Sequence, residues 1–194
     1  MSEQSSDPAG NGGRVILDGP AIERAIRRIA HEIVERSESL GELVLLAIPA
    51  GGVPLGKRLQ AYIREVSGVE VPLGKLDITL YRDDVATAGA SSNMSASHMP
   101  FDITDKRVIL VDDVLFTGRT TRAALDAVVD FGRPRSIQLA VLVDRGHREL
   151  PIKVDFVGKN VPTARRDDVR VEFSQDGGNE FVLVREGEGD PCAS

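Results

Sequence analysis

Two adjacent carboxylates, Asp112 and Asp113, are followed by Thr117, Gly118, Arg119, Thr120 and Thr121. The hydroxyls of Thr117, Thr120 and Thr121 are donors suited to a phosphate, and Gly118 lets the backbone approach it closely. A turn that leads into a helix adds free N–H groups and the positive end of the helix dipole. Carboxylates beside a phosphate repel it unless they hold sugar hydroxyls or act through a divalent cation. A sugar phosphate with free 2′ and 3′ hydroxyls satisfies both halves of this pattern. Neither the P-loop spacing nor GxGxxG is present, so those nucleotide sites are set aside. A receiver domain also carries acids at strand ends, but its acidic pair lies near the N-terminus.

The elements around the acids are legible from periodicity. Residues 108–111 read as a buried strand with the acids at its carboxyl end, and residues 122–131 have helical apolar spacing. Ligands of open α/β sheets bind outside the carboxyl ends of the strands. Upstream, residues 15–17 form a short strand, Asp18 is an N-cap and Pro20 sits in the first turn of a helix reaching about residue 37. Its buried stripe is Ile22, Ile26, Ile29 and Ile33. Residues 43–48 read as a central parallel strand, ending in the tight loop Pro49-Ala50-Gly51-Gly52 before a helix over about 53–66. Residues 71–81 are expected as a half-exposed strand with Leu76, Ile78 and Leu80 on one side. A polar, small-residue loop of about 19 residues, 82–100, is expected as a mobile lid. Gly132 suits the C′ position after the helix, and residues 137–143 form a further strand with a polar loop, 144–150, behind it. Short strands are expected at 154–157, 169–173 and 181–184, the last two as a hairpin. Strands alternating with helices predict an α/β fold with a mainly parallel sheet.

Composition narrows the class. The chain has 194 residues, 41 % hydrophobic and 28 % charged, an ordinary globular balance with enough length for a core. No apolar run is long enough for a membrane span. Residues 1–13 have neither a basic nor an apolar signal segment and are expected as a disordered tail; residues 186–194 are expected as a second tail, with one domain over 14–185. A single cysteine, Cys192, excludes an internal disulfide and suits a reducing cytoplasm. The net charge of −6 argues against nucleic acid as a partner, but its distribution matters more. Arg24, Arg28 and His31, flanked by Arg27 and Arg36, make a basic face on the first helix, with Glu23, Glu32 and Glu35 mixed into it.

The strand, acid pair and Thr/Gly-rich turn resemble the phosphoribosyl-pyrophosphate (PRPP) motif of the type I phosphoribosyltransferases. Residues 28–32, 76–84, 136–151 and 157–163 resemble the PyrR family, bacterial pyrimidine-operon regulators that are also uracil phosphoribosyltransferases. This resemblance covers about residues 14–185 without large gaps. It implies a type I phosphoribosyltransferase fold: a mainly parallel central sheet flanked by helices, a small hood and a C-terminal β-hairpin. The implied reaction converts uracil and PRPP into UMP and pyrophosphate, without a covalent nucleophile and with Mg²⁺ on the pyrophosphate. Asp112 and Asp113 would hold the ribose hydroxyls or the hydrated metal, residues 117–121 the 5′-phosphate, and Ala50, Gly51 and Gly52 the pyrophosphate. Arg82 would close over the pyrophosphate. At the base, Phe156 would stack on uracil, the Val157 backbone would read its edge and Asp144 would accept from a ring N–H.

The resemblance also implies binding of pyr leader mRNA, promoted by UMP or UTP. The matching basic positions are Arg24, Arg28, His31, Arg36, His147, Arg148, Lys153 and Lys159. A homodimer or larger homo-oligomer in the cytoplasm would supply the two states that a coregulator selects between. Family members usually carry Thr-Arg-Gly where this chain has Ala50-Gly51-Gly52. Loss of the guanidinium implies weak PRPP affinity and poor transfer with UMP binding retained, and an activity gain on Gly51→Arg. The alternative is a salvage uracil phosphoribosyltransferase without RNA binding.

Overall fold

The computed structural model describes residues 13–82, 99–174 and 179–187. The expected tails, apart from Gly13, Glu186 and Gly187, lie outside the described residues, as do most of the expected lid and the turn of the hairpin.

Asp18 sets the chain's first helix. It ends β1 (Gly13–Asp18) in an extended conformation, and its Oδ1 accepts from Ala21 N at 2.9 Å, capping α1 (Gly19–Glu35). Ile22, Ile26, Ile29 and Ile33 are fully buried, each contributing about 1.5–3 kcal/mol relative to exposure. α1 packs against α2 (Gly52–Ser67), which follows β2 (Leu43–Ala47), whose residues are all buried.

The main sheet has the order β3-β2-β4-β5-β6, all parallel, with β3 at Leu73–Lys75, β4 at Arg107–Leu115, β5 at Ser136–Asp144 and β6 at Phe156–Asn160. Ile109 and Val111 of β4 face the α1/α2 core, whereas Val108 and Leu110 face the core under α3 (Arg119–Phe131). Burial on both faces explains why β4 reads as an unbroken apolar run. A second, antiparallel sheet has the order β1-β8-β7, with β7 at Asp168–Glu172 and β8 at Phe181–Arg185. The hairpin is therefore present, and β1 joins it as a third strand. An ion pair between Arg58 of α2 and Glu180 ties the start of β8 to the main body, and Glu180 Oε1 also accepts from Ser174 N at 3.2 Å.

Several expected boundaries are corrected. Residues 71–81 are not one strand: after β3, Asp77 Oδ1 accepts from Thr79 N at 2.9 Å and from its hydroxyl at 2.6 Å, turning the chain into a 3-10 turn at Thr79–Tyr81. Leu76 and Ile78 are buried, but Leu80 is 74 % exposed. The strand expected at 154–157 runs instead from Phe156 to Asn160, because Asp155 closes the preceding turn through Leu139 N (2.8 Å) and Leu139 O (2.9 Å). Gly132 ends α3 in extended backbone rather than a left-handed turn. A Cβ there would come within 2.9 Å of Ile103 Cγ1, so close packing explains the glycine.

Replacing Asp18 by Ala removes the cap of α1 at a cost of about 1 kcal/mol. The expected outcome is a Tm lower by about 2–4 °C with unchanged ligand binding, read by thermal unfolding.

Candidate functional site

β4 does not stop at the acids. Pairing with β5 continues beyond Asp112 to Leu115, which lies level with Asp144. Asp112 is 7 % exposed; its Oδ1 accepts from Asp113 N at 3.0 Å, and Asp113 Oδ1 accepts from Val114 N at 2.9 Å. Burial, and then the charge of Asp113, push the Asp112 carboxyl well above the usual carboxylate range, while the charge of Arg82 opposes the rise. Burial also raises Asp113, against the backbone N–H of Val114. The structure thus brings Arg82 into the electrostatic field of the acid pair.

The Pro49–Gly52 loop is pressed onto this part of β4. Ile48 N donates to Val111 O at 2.9 Å and Gly52 N donates to Ile48 O at 3.0 Å. A side chain on Gly52 would overlap the Val111 carbonyl, and one on Gly51 would overlap the Asp113 carboxylate. This changes the expectation for Gly51→Arg. An arginine there does not simply add a guanidinium to an open loop; it displaces one of the two acids.

The turn from β4 into α3 carries Thr117, Gly118 and Arg119. Gly118 has φ 91°, which favours glycine, and a Cβ there would crowd Ile152 Cδ1 at 3.1 Å. α3 starts at Arg119, three residues before the periodicity suggests, and no side chain caps it; Arg119 N reaches Thr117 Oγ1 only at 3.4 Å. Thr121 in the first turn is 3 % exposed, and its hydroxyl has no hydrogen-bond partner among the described residues. A buried unpaired hydroxyl is costly, and here it stands at the positive end of a helix dipole.

On the other side of β4, Asp144 ends β5 level with Asn160 of β6. Asp144 Oδ1 accepts from Gly146 N at 2.9 Å and its Oδ2 from Arg148 Nη2 at 2.6 Å. A cavity of about 430 Å³ lies between Asp144–His147 and Asn160–Thr163. One base assignment fails here. Phe156 is fully buried in the α1-side core with the Arg36 guanidinium 5.5 Å over its ring, so it has no face for uracil. The Val157 carbonyl already accepts from Arg28 Nη2 at 3.1 Å. Asn160 and Arg145 are additional polar residues on this cavity that the sequence reading missed. Asn160 lies in the quoted 157–163 block, and only the misplaced strand boundary hid its position.

The basic positions divide into two groups. Arg24 and His31 are exposed on α1, and Lys153 and Lys159 are exposed on and before β6. Arg28 joins these two elements through the carbonyls of Val157 and Gly158. Others face inward or are paired: Arg36 binds Glu32 at 2.6 Å, His147 Nε2 contacts Thr163 O at 2.6 Å, and Arg148 is shared among Phe116 O (2.7 Å), Asp144 and Ile152 O (3.3 Å). Arg27 points to α2, bridging Glu23 and Glu65.

No group of three or more His, Cys, Asp or Glu among the described residues could hold a metal alone. Two adjacent carboxylates do fit Mg²⁺, which takes one or two from protein and fills its shell with water and phosphate oxygens.

The raised carboxyl gives a test with a definite sign. Between the ordinary and the raised value the folded chain binds more protons than the unfolded one, so stability falls as pH rises through that interval. In metal-free buffer, Asp112→Asn is expected to raise Tm at neutral pH, by about 2–4 °C per kcal/mol released. The gain should vanish below the ordinary Asp range; an equal gain at both pH values contradicts the assignment.

A profile of the phosphoribosyl transferase domain family matches residues 14–181. The bifunctional protein PyrR of Pelotomaculum thermopropionicum is 54 % identical over 171 residues, 88 % of this chain and 94 % of that protein. That of Chloroflexus aurantiacus is 56 % identical over 171 residues, again 88 % and 94 %. Among solved structures, the hypoxanthine phosphoribosyltransferase from Trypanosoma cruzi in complex with the product IMP superposes with TM-score 0.61 at 22 % identity, covering 77 % of each chain. The hypoxanthine-guanine phosphoribosyltransferase of Bacillus anthracis also gives TM-score 0.61, at 21 % identity, over 77 % of this chain and 84 % of that one. The parallel sheet, the acid pair on its central strand and these matches agree: the chain belongs to the phosphoribosyltransferase family and, within it, to the PyrR proteins.

Proposed function

We propose that the protein is a uridine-nucleotide-dependent regulator of pyrimidine gene expression that binds pyr leader mRNA, and that it transfers the phosphoribosyl group of PRPP to uracil. The observation that carries the catalytic half is the buried, unpartnered Thr121 hydroxyl at the uncapped start of α3, in the element that follows the strand bearing the buried Asp112 and its neighbour Asp113. The 5′-phosphate binds residues 117–121, and Asp112 and Asp113 hold the ribose hydroxyls or hydrated Mg²⁺. Mg²⁺ held there through water would supply positive charge to the pyrophosphate leaving group. Uracil sits in the cavity beside Asp144 and Asn160, where a carboxylate accepts from a ring N–H and an amide can both donate and accept. The bond from the anomeric carbon to pyrophosphate breaks, the bond to uracil N1 forms and the N1 proton is lost. The protein's contribution is position and exclusion of water.

The regulatory half rests on the exposed basic residues Arg24, Arg28 and His31 of α1 and Lys153 and Lys159 on and before β6, two segments that Arg28 links through the Val157 and Gly158 carbonyls. With few aromatic residues in the chain, phosphate contacts dominate the RNA interface. A homodimer or larger assembly couples nucleotide binding to this face.

The test is binding of pyr leader RNA with and without UMP at two salt concentrations, alongside transfer from PRPP to uracil. Binding that UMP strengthens and salt weakens steeply, together with turnover, is the expected result. Turnover with no RNA binding at either salt leaves the salvage uracil phosphoribosyltransferase as the function.

Activity also depends on the Gly51–Asp113 contact. Gly51→Ala displaces Asp113 without adding charge and is expected to lower kcat/KM for PRPP by about tenfold, measured by steady-state kinetics. An unchanged value would show that Asp113 moves aside at no cost.

A further inference from the structure

Residues 145–149 form a strap between the phosphate loop and the segment 163–165. On one side, three successive carbonyls at the end of β4 are held: Arg145 N donates to Leu115 O (3.1 Å), Arg148 Nη1 to Phe116 O (2.7 Å) and Glu149 N to Thr117 O (2.9 Å). On the other, the alternate side chains reach the 163–165 segment. Arg145, 6 % exposed, donates to Thr163 Oγ1 (3.3 Å) and Ala164 O (3.1 Å) while its guanidinium lies 4.0 Å over the Phe116 ring. His147 Nε2 meets Thr163 O. Glu149 makes both kinds of contact. Its backbone holds Thr117, one carboxylate oxygen pairs with Arg165, and the other accepts from Arg119 Nε at 2.8 Å.

Arg119 is the first residue of α3 and belongs to the loop assigned to the 5′-phosphate. The Glu149 side chain is only 24 % exposed, against 63 % for Arg119, so the carboxylate is the better-fixed partner. We propose that Glu149 is a positioning residue of the phosphate site: it acts through Arg119, holding that guanidinium at the start of α3 where the phosphate of a uridine nucleotide binds. The inference rests on the phosphate-site reading above. It makes a specific claim about an acidic residue, which by charge alone would repel a phosphate.

The two effects have opposite signs, which makes the experiment decisive. Affinities for UMP and for uridine are measured by calorimetry on wild type, Glu149→Ala, Glu149→Gln, Arg119→Ala and the Glu149→Ala/Arg119→Ala double variant. The expected result is that Glu149→Ala weakens UMP by about fivefold, the loss of one partly exposed charge-assisted contact, and leaves uridine unchanged. Glu149→Gln, which keeps an acceptor oxygen, falls between wild type and Glu149→Ala. In the Arg119→Ala background the Glu149 substitution has no further effect. Tighter UMP binding by Glu149→Ala overturns the proposal, since charge repulsion then outweighs position. Equal losses for UMP and uridine, or full losses that add in the double variant, also overturn it. Failure of wild type to bind UMP at all instead removes the phosphate-site reading itself.

Discussion

The register between β4 and β5 is the constraint on which the site depends. Leu115 stands level with Asp144, so β4 runs three residues past the first acid, with β5 alongside it, before either chain turns away. The 116–118 turn and the 144–150 loop therefore leave the sheet at the same height and side by side. Had β4 ended at Val111, as the apolar run alone suggests, the acids would lie on a loop with freedom to reach water. Held in the ladder, they are fixed in direction at the cost of burial, as the upward displacement of both carboxyls shows.

That burial has a rationale in the neighbouring elements. Glycine at 51 and 52 lets the loop after β2 press onto β4, and the side of that loop is finished by a carboxylate from another strand rather than by a side chain of its own. Two segments far apart in sequence thus share one small volume. On α3 the buried Thr121 hydroxyl is left without a hydrogen-bond partner among the described residues.

Much of this was legible in the sequence. The α1 stripe, the cap at Asp18, the central strands and the glycine turn into α3 follow from spacing and residue type, because each is a local pattern with strong periodicity or turn chemistry. What escaped depends on register and distant contact. Phe156 looks like a base-stacking ring in sequence, yet pairing with Ala140 places it four residues, about 13 Å, short of the level of Asp144. Gly51 reads as a lost arginine until its contact with Asp113 is known. Arg148 and Arg36 read as RNA-binding positions, but Arg148 serves the Phe116 carbonyl just past β4 and the Asp144 carboxylate at the end of β5, and the Arg36 guanidinium covers a ring on β6. No periodicity encodes such partners.

The small antiparallel sheet carries a consequence for how the chain is made. Its middle strand is β8, and β1 at residues 13–18 finds its strand partner there, at residues 181–185. During synthesis from the N-terminus, the five parallel strands and their helices emerge before β8 does. β1 must wait beside α1 as an unpaired edge while the main sheet assembles. Contacts of such long sequence separation close late and slowly. A ribosome that stops short of β8 therefore releases a chain with its large sheet encoded in full and an open strand edge at its beginning, which marks it for pairing with another incomplete copy.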